Sequence, residues 1–177
     1  KQIPSPPPPP TWVKGKAQIS VQSEINCSAD SVYAILTDFS KRALIQKGVN
    51  RIDYKEGELT RVGSEHVCIL PVGKSSFETV FAPENEAKKS YAEVTRSIPF
   101  IKEFTQLFSL DESEKGTKIT IEAFAQPKGW LGKRLLPFYS KKLEQGARQM
   151  LADLKALCES EESSSHDENL RMEQEVN

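Results

Sequence analysis

The segment from Gly129 to Cys158, GWLGKRLLPFYSKKLEQGARQMLADLKALC, constrains the fold more than any other part of the chain. Leu136, Tyr139, Leu143, Ala147, Met150, Leu154 and Leu157 recur at steps of three or four, which is one face of a single long α-helix. About 28 residues rising ~1.5 Å each give roughly 40 Å of helix. Between Asn50 and Pro127 the chain reads as strands instead. One long helix must therefore bury its stripe against one large antiparallel sheet.

The strand signals are alternation and turns. Ala17, Ile19, Val21, Ser23 and Ile25 alternate with polar residues as a first strand. Ser28 is read as an N-cap for SADSVYAILTDF, whose Val32, Ile35, Leu36 and Phe39 have helical spacing. A short helix at Lys41–Gln46 follows. Six more strands are expected at Val49–Tyr54, Ser64–Leu70, Ser76–Ala82, Ser90–Ile98, Lys102–Leu110 and Lys118–Ala125. Turns every 8–12 residues make them an antiparallel meander. The order is one strand, two short helices, six strands and a long helix: an α+β chain. Six strands at ~4.8 Å span roughly 25–30 Å, and only a curved sheet of that width can wrap a helix. A cavity is expected where the helix fills only part of the concave side, and such a cavity is the default ligand site.

The 177 residues predict one domain. Residues 1–15 are proline-rich, a stiff and disordered linker. A PxxP ligand for another domain is the sharper alternative there. Residues 16–158 form the folded domain. Residues 159–177 hold seven acidic residues and one Arg, and are expected to be disordered. Net charge is −1, so with −6 in this tail the rest carries +5. That is well short of a nucleic-acid-binding signature. No apolar run reaches the ~18 residues of a membrane span. The three cysteines Cys27, Cys68 and Cys158 are widely spaced, which argues against a disulfide framework and for a reducing, cytoplasmic setting. His66 and Cys68, two apart on a strand, read as a buried thiol beside a polar ring rather than as metal ligands. No metal or cofactor is expected. The chain starts at Lys1 rather than Met, as a fragment or processed form would.

Several stretches resemble the START-like, SRPBCC superfamily and its helix-grip fold, which includes polyketide cyclases, ligand-binding allergens and lipid-transfer domains. SADSVYAILTDF is similar to its opening helix. Arg61-Val62-Gly63-Ser64 is similar to its turn into strand three. Gly116-Thr117-Lys118-Ile119-Thr120 is similar to its entry into the last strand, and Gly129-Trp130-Leu131-Gly132 precedes the last helix as in the family. The family's usual Trp soon after TDF is missing between Ser40 and Gln46. The resemblance spans Ala17 to Cys158. It implies a curved sheet of about seven strands around the C-terminal helix, with a hydrophobic small molecule or lipid inside.

Strand alternation assigns faces. Ile119, Ile121, Ala123 and Ala125 are placed on the concave side. So are Phe104, Gln106, Phe108 and Leu110; Ala92, Val94, Arg96 and Ile98; and Phe77, Thr79 and Phe81. Strand three stays open between Val67 with Ile69, and His66 with Cys68 and Leu70. Glu78, Glu93, Glu103 and Glu122 are placed on the convex side. The expected cavity residues are Phe77, Phe81, Val94, Arg96, Phe104, Gln106, Phe108, Ile121, Ala123, Trp130, Leu135 and Tyr139. Arg96 and Gln106 break the apolar pattern. A buried Arg needs a partner, so Arg96 is either a polar anchor for a ligand or a strand-end residue reaching out to solvent. No catalytic residue is assigned, because no Ser-His-Asp order can be assembled and no glycine-rich phosphate loop exists. Non-enzymatic binding of a hydrophobic molecule, as an accessory or sensor domain, is the main expectation. A cyclase or aromatase-type enzyme using Arg96, Tyr139 or His66 is the alternative, and a ligand-free protein-interaction module a third. A monomer is expected. Lys133, Arg134, Lys141, Lys142 and Arg148 with Trp130 and Phe138 give a basic, aromatic helix face that suits peripheral contact with an anionic membrane.

Overall fold

The computed structural model describes residues 16–55, 62–71, 73–81 and 89–175, with side chains described for all of these except Phe81 and residues 165–175. The proline-rich segment and the Arg61 end of the strand-three turn lie outside them. Seven strands form one antiparallel sheet in the order β1-β7-β6-β5-β4-β3-β2. They are β1 Ile19–Ile25, β2 Arg51–Tyr54, β3 Glu65–Leu70, β4 Gly73–Phe81, β5 Lys89–Thr95, β6 Ile101–Ser113 and β7 Gly116–Pro127. Two short helices, α1 Ala29–Thr37 and α2 Phe39–Ile45, link β1 to β2. The long helix is α3, Gly129–Glu175. This is the helix-grip arrangement.

Local chemistry explains the junctions. The Ser28 hydroxyl accepts the Ser31 N–H at 3.1 Å and starts α1. The Asp38 carboxylate accepts the Ser40 N–H at 2.9 Å and starts α2 one residue later. Gly116, at φ 122°, turns β6 into β7 so close to β1 that a Cβ there would sit 2.3 Å from the Ile25 carbonyl oxygen. At Gly132 a Cβ would meet the Phe100 carbonyl oxygen at 2.3 Å, so only glycine lets α3 begin against the turn before β6.

The core joins Val21 and Ile25 of β1, Val32, Ile35 and Leu36 of α1, Phe104, Phe108 and Leu110 of β6, Ile119, Ile121 and Ala123 of β7, and Ala147, Met150, Leu151 and Leu154 of α3. Each fully buried Val, Leu, Ile, Phe or Met among them contributes about 1.5–3 kcal/mol of transfer free energy. The expected stripe is the one that packs, and Leu136, Tyr139, Leu143 and Leu157 lie partly buried along its edges.

Three expectations are corrected. The helix continues past Cys158, where the apolar stripe stops. Its acidic residues cover exposed donors instead: Glu159 accepts the Asn26 N–H at 3.1 Å, Glu162 accepts the Ser28 N–H at 3.3 Å, and Lys41 pairs with Glu161 at 2.7 Å. Strand five has the opposite parity. Tyr91, Glu93 and Thr95 pair with Phe108, Gln106 and Phe104, so they share the concave face, and Val94 and Arg96 do not. Glu93 is thereby moved from the convex side to the interior. On β4 the register shifts between Thr79 and Phe81, and the side chain of Phe81 lies outside the described residues. Strand three resolves to His66 and Cys68 inward: they pair with Phe77 and Ser75, and both are buried.

Candidate functional site

A half-open cavity of about 300 Å³ lies between the sheet and the middle of α3. Its apolar walls are Leu70 of β3, Phe77 of β4, Phe104 of β6, and Leu143, Ala147 and Met150 of α3, with Val49 and Ile98 from the adjoining loops. Gln106, Ser75, Cys68, Gln46 and Gln149 supply polar atoms, and two exposed lysines, Lys47 and Lys142, belong to the same rim. Gly146 lines the cavity with nothing within 4 Å of where its Cβ would be.

Beside the cavity is a buried polar cluster absent from the expected site. Arg42 of α2, with no exposed surface, forms an ion pair with Glu93 of β5. The Tyr91 hydroxyl donates to the same Glu93 oxygen at 2.9 Å and lies 3.4 Å from the Thr79 hydroxyl. The guanidinium stands 5.4 Å from the ring centres of both Tyr91 and Phe108, a cation–π position. His66 Nε2 is 4.0 Å from Glu93. Its ring stacks on Phe77 at 5.4 Å and lies 4.4 Å from Phe39. Phe77 is also a cavity wall, and Gln106, opposite Glu93 in register, is another. The cluster therefore backs directly onto the cavity.

Burial and charge set the protonation states. Burial works against the Arg42 charge, but Glu93, with Tyr91 and Cys68, outweighs it and raises the pKa above the usual value. Burial pushes the Tyr91 hydroxyl up, and Glu93 pushes it further. Burial also lifts the Cys68 thiol to about 11, again helped by Glu93. For His66 burial dominates and lowers the pKa, with Glu93 opposing and Arg42 adding to the fall. The cluster holds one guanidinium–carboxylate pair beside a neutral imidazole and a protonated phenol. Arg42 Nε and Nη1, both His66 nitrogens and Glu93 Oε1 have no hydrogen-bond partner among the described residues. Buried polar atoms of that kind invite one.

Apart from Phe81, whose side chain lies outside the described residues, the expected site residues fall into four groups. Phe77, Phe104 and Gln106 line the cavity. Phe108, Ile121 and Ala123 are core residues exposed by no more than 1%. Tyr139 and Leu135 are half-buried away from the cavity walls. Val94 and Arg96 are corrected: Val94 is buried on the other face of β5, and Arg96, just past the end of that strand, is 59% exposed, paired with Glu103 at 2.9 Å and Glu78 at 3.5 Å. Trp130 is also corrected, being 74% exposed. The cavity opens at residues 142–150 rather than at the start of the helix. Arg42, Tyr91 and Glu93 were missed, although the polar Gln106 on an apolar face marked a polar neighbour across the strand.

No helix among the described residues is long and apolar enough to cross a membrane. No curated protein sequence matches the chain. A hypothetical protein from Helicobacter pylori is similar in structure, with TM-score 0.66 at 13% identity over 89% of this chain and 98% of that one. A norcoclaurine synthase point mutant from Thalictrum gives 0.63 at 10% identity, over 81% and 94%. The di-domain ARO/CYC of the steffimycin biosynthetic pathway gives 0.62 at 16% identity, covering 82% of this chain and 51% of that one. These likenesses show the fold. The model of the family described as polyketide cyclase / dehydrase and lipid transport matches residues 16–159, so the chain belongs to that START-like family.

Proposed function

We propose that the chain binds a hydrophobic small molecule or lipid, without catalysis, as an accessory or sensor domain. The observation that carries this reading is the half-open apolar cavity between the sheet and the middle of α3. About 300 Å³ stands at the lower end of typical ligand sites. The polar atoms at Gln46, Ser75 and Gln106 would orient a ligand, and Lys47 and Lys142 at the rim favour an anionic end such as a carboxylate. Family membership supports the same reading.

The reading carries with it a monomeric, cytoplasmic protein that touches an anionic membrane while loading. Trp130 and Phe138, exposed by 74% and 73% beside Lys133, Arg134 and Lys141, support that contact. The test is native mass spectrometry of freshly purified protein, followed by titration with a dansylated fatty acid. A retained small molecule, or saturable uptake of one probe per chain, is expected. Neither, at micromolar protein, sinks the reading.

A cyclase-type enzyme is the second reading, favoured by one observation: the His66–Glu93–Tyr91–Arg42 cluster behind Phe77 and Gln106. Acid–base work would require His66 to reach the ligand. Turnover of a polyketide mimic that His66→Gln abolishes, with probe binding intact, would favour it.

A further inference from the structure

About two-thirds of the way along α3 from Gly129, Cys158 and Glu162 meet Cys27, bringing two thiol sulfurs and a carboxylate oxygen within 4.8 Å of one another. Cys158 and Glu162 are four residues apart on α3 and so share a helix face. Cys27 comes from the opposite side, between β1 and α1. The thiols are 3% and 1% exposed, and Glu162 is exposed at the rim, where an ion would enter. We propose that these three residues form a zinc site that clips the β1–α1 turn to α3.

The donor set selects the ion. Two sulfurs disfavour magnesium and calcium, which take oxygen ligands, and suit a borderline-soft tetrahedral cation. Two thiolates bonded to zinc at ~2.3 Å stand roughly 3.8 Å apart. The donors therefore need to close by at most roughly 1 Å from their 4.8 Å limit, within reach of side-chain rotation. Three protein ligands leave the fourth position to water.

Outer contacts already hold the donors. The Thr117 hydroxyl donates to the Cys27 carbonyl at 2.8 Å, and the Ser28 N–H donates to the Glu162 carboxylate at 3.3 Å. Glu159 and Glu161 add negative charge nearby. Burial, then the neighbouring Cys158 thiol and the carboxylates, push the Cys27 thiol up. The third thiol, Cys68, lies beside the cavity and takes no part.

The test is titration of the reduced full chain, stripped of metal, with cobalt as the spectroscopic stand-in and zinc as competitor. One equivalent is expected to give an intense thiolate-to-cobalt charge-transfer band that zinc abolishes. Cys158→Ser and Cys27→Ser should each weaken the band by about half or more, while Cys68→Ser leaves it unchanged. Glu162→Gln, a change at the exposed rim, should keep the fold and weaken cobalt binding by roughly 10-fold or more. Three results would each overturn the proposal. They are no thiolate band in the reduced wild-type chain, a band that depends on Cys68, or a Glu162→Gln affinity equal to wild type.

Discussion

Gly146 gives the sharpest test of the cavity. It lies inside α3, lines the cavity, and has open space around the position of a Cβ. Gly146→Leu should therefore act on stability and on binding in opposite directions. Replacing glycine by leucine inside a helix gains about 0.7–0.8 kcal/mol of propensity. In a chain of this size that raises the midpoint of thermal unfolding by roughly 2–3 °C. The same side chain intrudes on a cavity of about 300 Å³, which has little room to lose. Affinity for a dansylated fatty acid should fall at least about tenfold, or ~1.4 kcal/mol. Gly146→Ala is the control. It should gain about the same stability and, adding one methyl group, hold affinity within about twofold. Melting curves without ligand and fluorescence titrations with it separate the two effects. A leucine variant that binds as tightly as wild type would refute the assignment of the ligand to this cavity. One that melts below wild type would refute the claim of open space.

The buried charges make further predictions. Glu93→Gln leaves the fully buried Arg42 guanidinium without its counter-charge and should cost about 3–5 kcal/mol in urea unfolding, whereas Arg42→Met combined with Glu93→Leu should recover most of it. His66 has a folded pKa below the ordinary 6.5, so the unfolded chain takes up its proton first as pH falls. Its contribution to stability is whole above about pH 6.5 and is lost progressively below it, down to the folded value. Unfolding free energies measured between pH 7.5 and 5 should show this slope, and His66→Phe, between two phenyl rings, should flatten it. Arg96→Ala breaks only exposed pairs and should shift stability by no more than about 1 kcal/mol, with probe affinity unchanged. A loss of binding there would restore Arg96 as a ligand contact.

Legibility in the sequence followed how many faces of each element are buried. On β7, inward Ile119, Ile121 and Ala123 alternate with outward Lys118, Thr120 and Glu122, and the structure has that parity. On β5, Ser90 to Thr95 are all buried, so alternation carries no information, and the observed parity is opposite to the expected one. The reversed parity puts Glu93 inside and leaves Arg96 in exposed ion pairs. Arg42 was hidden for a different reason. In a helix of seven residues its partners come from β5 and β6, about 50 and 66 residues further along the chain, and no local pattern encodes them. The acidic extension of α3 looked unstructured because it lacks apolar residues, yet its carboxylates meet free N–H groups of the β1–α1 turn.

The pairing of β1 with β7 also sets an order of events for a chain emerging from the ribosome. Val21 meets Ile121, and the Asn26 N–H meets Glu159. Among the described strands β1 comes first in the chain, and it is thus among the last of them to find its neighbours. At ~5–20 residues per second the hundred residues between Val21 and Ile121 take on the order of 5–20 s. Throughout that interval the amphipathic β1 lacks its sheet partner β7 and the long helix α3. Loop-closure entropy then makes the final joining slow relative to the local hairpins β3–β4 and β6–β7. Folding of this domain should accordingly be governed by the arrival of α3 rather than by formation of the sheet's middle, and shortening α3 before Glu159 should trap a chain whose meander is built but whose β1 is unplaced.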